Sequence, residues 1–324
     1  MKTIVAFALA LSLQIAGSPA NAENVFVGGN SGVLMSLDTE SRVTTEIARV
    51  PASIESLYYD GSSSTLYIGR NDGRLTSLAG DVTNEITRLT SEIRSISAIR
   101  GSSTVFLGTN RGYVERLNKD TGELLTPFVG MPGNVDALAA IESLHVLAVG
   151  TNVGTVSFYD IENGAPVGSA MRAAGAVEAL ALSVDGAYLF IGTNNGYLSR
   201  YNIATGSLDE WHSRAGGSVL SILALPDSSG LLLGLNNGLI EFAYTRGTQV
   251  NYQFARSSAM VNAMALAQPV PEPSVLAMLL IGIILLVSRF GPGAHGLHAA
   301  ELTQEKLGFA AGVQRNFVPV LHLD

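Results

Sequence analysis

Six short segments of this chain carry the residue types that could do chemistry, and they share one pattern. Ile54-Glu55-Ser56-Leu57, Ile93-Arg94-Ser95-Ile96, Val135-Asp136-Ala137-Leu138, Val177-Glu178-Ala179-Leu180, Val219-Leu220-Ser221-Ile222 and Val261-Asn262-Ala263-Met264 each read aliphatic, variable, small, aliphatic. The variable position collects Glu55, Arg94, Asp136, Glu178, Leu220 and Asn262. If the six segments are structurally equivalent, these side chains stand at one height around a common axis. Three carboxylates, an amide and an arginine gathered in that way could hold a cation or a polar ligand. The same set also suits a solvated opening in which the arginine pairs with its acidic neighbours, and Leu220 interrupts the ring.

Elsewhere the sequence excludes more chemistry than it offers. There is no cysteine, so disulfides, thiolate metal sites and thiol catalysis are ruled out. A net charge of −8 gives no electrostatic reason to expect nucleic acid as a partner. His145 and His212 fall in different repeats and at different points of the repeat, which makes neither a triad nor a three-ligand zinc site. His295, His298 and His322 lie near the C-terminus with nothing to support a metal role. No catalytic set, no metal site and no cofactor is therefore expected.

The elements that must position the variable residues are legible in a second repeat. Gly-x-Asn-x-Gly occurs six times. The copies are Gly28, Asn30, Gly32; Gly69, Asn71, Gly73; Gly108, Asn110, Gly112; Gly150, Asn152, Gly154; Gly192, Asn194, Gly196; and Gly234, Asn236, Gly238. The first glycines are separated by 41, 39, 42, 42 and 42 residues. Three apolar residues precede each first glycine, and an aliphatic follows two residues after each closing one, as in Leu189-Phe190-Ile191 and Leu198. A buried strand, a tight turn and an alternating strand make a hairpin. Glycine and asparagine are expected in that turn because both tolerate positive φ. The tetrads lie about 26 residues after each first glycine, and their small third residue suits an innermost strand crowded near an axis.

A period near 42 residues built from strands and turns is that of a propeller blade. The expected fold is all-β, a six-bladed β-propeller over residues 23–268. The chain supplies hairpin strands at its start and an unpaired inner strand at its end, so these are expected to share one blade. Within propellers, Gly192 to Gly206 resembles a quinoprotein-type repeat, Gly108 to Gly122 is a second such copy, and the whole is similar to the PQQ-like and WD-like repeat families. In the PQQ-like family most repeats carry a docking tryptophan shortly after Thr-Gly. Here Trp211 alone holds that register, which argues against quinone-dependent oxidation and for a packing role.

Both ends read as addresses. Lys2, the apolar stretch Ile4 to Ala16 and the small-x-small site Ala20-Asn21-Ala22 form a secretory signal over residues 1–22, with signal peptidase as the partner and cleavage expected before Glu23. Val270-Pro271-Glu272-Pro273-Ser274, the uncharged run Val275 to Val287 and Arg289 resemble a PEP-CTERM sorting signal over residues 269–290, with a transmembrane helix at about 275–288. That resemblance implies an exosortase-type processing enzyme that recognises Pro271, Glu272 and Pro273. It also implies export across the inner membrane of a Gram-negative bacterium, membrane anchoring, and passage to the cell surface or extracellular matrix. Residues 291–324 extend beyond the usual end of such a signal and are expected to be a disordered tail. The function expected is a non-catalytic binding module for a surface protein or polysaccharide. A metal-dependent, lactonase-like enzyme at the channel mouth and a degenerate quinoprotein-like repeat protein are the alternatives.

Overall fold

Each apolar triplet ahead of a first glycine becomes a strand buried on both faces, because the sheets stand radially and every face meets a neighbour. The computed structural model describes residues 24–245 and 251–267. They form six four-stranded antiparallel sheets. Blade 1 contains β1 (Asn24–Gly28), β2 (Val33–Asp38) and β3 (Thr44–Arg49). Blade 2 is β4 (Ile54–Asp60), β5 (Thr65–Arg70), β6 (Arg74–Ala79) and β7 (Val82–Arg88). Blade 3 is β8 (Ile93–Ala98), β9 (Thr104–Thr109), β10 (Tyr113–Asn118) and β11 (Val129–Gly130). Blade 4 is β12 (Val135–Ile141), β13 (Val146–Thr151), β14 (Thr155–Asp160) and β15 (Met171–Arg172). Blade 5 is β16 (Val177–Leu182), β17 (Tyr188–Thr193), β18 (Tyr197–Asn202) and β19 (Ser207–Arg214). Blade 6 is β20 (Val219–Ala224), β21 (Leu231–Leu235), β22 (Leu239–Ala243) and β23 (Tyr252–Arg256).

The last strand, β24 (Ala263–Ala267), is the inner strand of blade 1 and pairs with β1, Asn24 opposite Ala267 and Gly28 opposite Ala263. The first and last strands thus close the ring in one sheet, as the split repeat predicts, and that sheet has no orphan inner edge. Both ends of the described chain leave on one face, and the Gly-x-Asn-x-Gly turns lie on the other. The signal peptide and the sorting signal with its apolar run fall outside the described residues.

The core is a set of wedges between blades. One joins Tyr67 and Leu75 of blade 2 to Ile93 and Val105 of blade 3; another joins Ala139 and Val156 of blade 4 to Val177 and Leu189 of blade 5. The first glycine of each motif sets how closely two blades approach. A Cβ added there would lie 2.5 Å from Ile54 at Gly28, 2.7 Å from Ile93 at Gly69 and 2.6 Å from Val135 at Gly108. It would lie 2.5 Å from Val177 at Gly150, 2.6 Å from Val219 at Gly192 and 2.5 Å from Val261 at Gly234. In every case the first aliphatic of the following tetrad is one of the intruding groups, joined at Gly69, Gly108 and Gly234 by the still nearer Oγ of Ser56, Ser95 and Ser221 from the blade's own inner strand, and all six of these aliphatics are fully buried.

This corrects the expected role of the motif. The first glycines have no positive φ; they supply space. Only the closing glycines are left-handed, with φ of 71° at Gly32 and 79–83° at Gly112, Gly154, Gly196 and their counterparts Gly73 and Gly238 at 80°. The asparagines are not left-handed either. Instead the Asn194 N–H donates to the Ala176 carbonyl (3.0 Å), while the Asn194 side-chain oxygen accepts from the Ala176 N–H (3.1 Å). Asn110 makes the same two bonds to Glu92, Asn152 to Asn134, and Asn236 to Ser218. In these four copies the amide extends the ladder one residue beyond the strand and clasps the entry of the inner strand.

The closing seam has its own adaptation. Gly122, Gly164 and Gly206 take φ of 75°, 72° and 66° in the loop after the third strand, and Arg42 takes 60° at the matching point of blade 1. A left-handed non-glycine costs about 1 kcal/mol. Arg42 uses its side chain to lay a guanidinium 4.9 Å from the Phe254 ring and 5.7 Å from Tyr252 in blade 6, an attraction of about 0.5–1 kcal/mol.

Two measurements check these assignments. Gly192→Ala destabilises the ring by about 1–3 kcal/mol through overpacking, and by about 1 kcal/mol less when Val219 is already alanine. Equal costs in both backgrounds, read from denaturant unfolding, would remove the keying. Asn194→Gly costs about 1 kcal/mol because the clasp is lost; a neutral result would restore the backbone explanation.

Candidate functional site

A β-bulge aims the variable residue of the tetrad. The inner-strand register shifts between Ile54 and Ser56, Ile93 and Ser95, Val135 and Ala137, Val177 and Ala179, and Val219 and Ser221. The residue between each pair has no partner on the neighbouring strand, so its side chain is freed from the sheet. All six variable residues, Glu55, Arg94, Asp136, Glu178, Leu220 and Asn262, line one cavity of about 250 Å³, with Asn30, Asn236 and Met260 at its rim. The same six open onto a narrower bore of about 100 Å³ walled by the small and aliphatic residues of the tetrads. The expected ring is therefore assembled in full, on the face of the asparagine turns.

Its charges are tied together on one side. Arg94 Nε donates to Asp136 Oδ1 at 3.0 Å, and Arg94 Nη1 meets Glu55 Oε2 at 3.3 Å and Glu92 Oε2 at 3.5 Å. Asn262 Nδ2 donates to the Ile54 carbonyl at 3.1 Å and reaches Glu55 Oε2 at 3.5 Å. Burial works against the Arg94 charge, yet Asp136, Glu55 and Glu92 together outweigh it and hold its pKa above the usual value. Burial raises the Asp136 carboxyl above its usual range despite Arg94. Glu178 is pushed up to about 7 by burial and by the charge of Asp136, with Arg94 offsetting part of that. Among the described residues Glu178 makes no hydrogen bond or ion pair.

Glu92 is the member that the tetrad pattern missed. It stands one residue before the tetrad, where the other copies have Ser53, Asn134, Ala176, Ser218 and Met260. Extending the repeat alignment by that one column exposes it, and Met260 with it.

Chemically, Arg94 already occupies the place between Glu55 and Asp136 that a bound cation would take. Among the described residues no group of three His, Cys, Asp or Glu is placed to hold a metal ion. His145 is exposed at the end of a short 3₁₀ turn after β12, and His212 is exposed on β19, so the two are not brought together. Trp211 packs edge-on against Phe190 at 5.6 Å and beneath Arg200, within a cluster shared by blades 5 and 6. Pro271, Glu272 and Pro273 lie outside the described residues.

Arg94→Met leaves Asp136, whose side chain is only 5% exposed, without its counter-ion. The variant loses about 2–4 kcal/mol at pH near 8. Part of this returns on acidification, because a carboxyl whose folded pKa is raised is most favourable below its unfolded pKa and least favourable above its folded one. A pH-independent loss in thermal unfolding would show that the guanidinium acts through packing alone.

No protein-family model matches the chain, and no curated protein is similar to it in sequence. Solved structures are similar in fold. A chain of a mitotic checkpoint complex superposes with a TM-score of 0.57 at 17% identity, over 74% of this chain and 79% of that one. The WD40 β-propeller domain of Doa1 gives 0.59 at 13% identity, over 74% and 81%. A chain of a nidogen/laminin complex gives 0.63 at 11% identity, over 76% and 99%. At these identities the likeness concerns the fold: the described chain is a six-bladed β-propeller with WD40-like structural neighbours.

Proposed function

We propose that this protein is an exported, non-catalytic binding module, carried to the cell surface or extracellular matrix and presenting the asparagine-turn face to a protein or polysaccharide partner. The observation that carries the reading is the internally bridged side of the mouth: Arg94 sits between Glu55 and Asp136, so most of the ring's charges are engaged in holding blades 2, 3 and 4 together. A rigid propeller suits recognition, and two of the similar structures are named as members of complexes. The N-terminal signal and the Pro271-Glu272-Pro273 segment supply the address, through signal peptidase, an exosortase-type enzyme and a membrane-anchoring apolar run.

One observation favours a second reading. A carboxyl near 7, as at Glu178, is what a general acid or base needs. An enzyme using it would lose its activity in Glu178→Gln, whereas a binding module would keep its partner.

Fractionation of cells expressing the full-length chain tests the main reading. The expected product begins at Glu23 and is found in the envelope or medium, and replacing Pro271, Glu272 and Pro273 by alanine traps an anchored precursor. Accumulation of the unprocessed chain in the cytoplasm would defeat the proposal.

A further inference from the structure

The polar network at the mouth is one-sided. Asn262, beside β24, ties blade 1 to blade 2, and Arg94 ties blade 3 to Glu55 of blade 2 and Asp136 of blade 4. The staple stops at Asp136. Glu178 of blade 5 enters the same cavity with no hydrogen bond or ion pair among the described residues. On its far side β20 offers Leu220, and the rest of the cavity lining is neutral: Asn30, Asn236, Met260 and Asn262. The charged groups that face Glu178 are Asp136 on β12 and, beyond it, Arg94, Glu92 and Glu55. One guanidinium therefore stands against three carboxylates while Glu178 keeps its proton, and against four when it does not. The cavity is open to solvent, so the proton can exchange freely.

We propose that Glu178 makes the mouth a proton-operated element: ionised, it is repelled by Asp136 and loosens β16 from β12; protonated, it lets the two inner strands close. The element belongs to the ring itself and stands or falls independently of export. Burial and the Asp136 charge lift the carboxyl from its ordinary value of 4.5 to about 7. The folded state thus binds this proton more tightly than the unfolded chain does. Its contribution is most favourable below the unfolded value and declines as pH rises through about 7.

Hydrogen–deuterium exchange on the full-length chain, corrected for intrinsic chemical rates, reads this directly. The segment Val177–Leu182 is expected to exchange about tenfold faster near pH 8.5 than near pH 5.5, while Ile54–Asp60 stays unchanged. Glu178→Gln abolishes the difference, and Asp136→Asn moves its midpoint down toward ordinary carboxylate pH. A wild-type segment without pH dependence, or a Glu178→Gln protein that retains it, overturns the proposal.

Discussion

The contact on which the ring depends is an aliphatic side chain seated over a glycine. Six times around the axis, the first aliphatic of a tetrad occupies the volume that a β-carbon would fill on the preceding blade. The spacing between radial sheets is fixed there, close to the axis, where a small error is multiplied toward the rim. Each contact lies at the entry of an inner strand, four of them beside an asparagine clasp, so blade packing and strand entry are fixed together. With the entry fixed, the bulge that follows always falls at the same height. The variable residues meet in one cavity because six glycines hold six strands in phase.

This explains why so much of the ring was legible. The repeat of Gly28 through Gly234 gave blade number, and the unpaired inner strand near Val261 gave closure. The ring of Glu55, Arg94, Asp136, Glu178, Leu220 and Asn262 followed from equivalence alone. The reasons behind the motif were harder to see, because glycine and asparagine serve several ends and their letters do not tell which. Gly192 is needed for space and Gly196 for a left-handed turn, although both read as turn glycines. Asn194 resembles a left-handed residue in type, yet its work is done by a side-chain oxygen reaching a residue 18 positions earlier. Pairing across that distance is a property of the folded hairpin.

The bulge likewise escapes a pattern of apolar and polar letters. A strict alternation would make the second tetrad residue an ordinary sheet position. Insertion of one unpaired residue lets Ile54 turn toward blade 1 and Ser56 lie across from Gly69, with Glu55 left to the channel. Freed from packing, that position can carry any chemistry, and here it carries five different side-chain types. The same freedom lets the mouth be asymmetric: Arg94 draws three blades together, while Glu178 and Leu220 contribute no bond to the seam beside them.

The pairing of Asn24 with Ala267 bears on how the molecule carries a mechanical load. Antiparallel bonds run perpendicular to their strands. Both described ends lie at one end of the β1–β24 pair, so a pull applied between them opens that seam like a zipper, one bond at a time, at low force. A pull between Ala267 and an object held at the asparagine-turn face runs lengthwise along β24. It loads the bonds from Asn24 to Gly28 together, in shear, and the ring resists far better. As a tether the propeller is strong in one direction only, and that direction joins its C-terminal exit to its channel mouth.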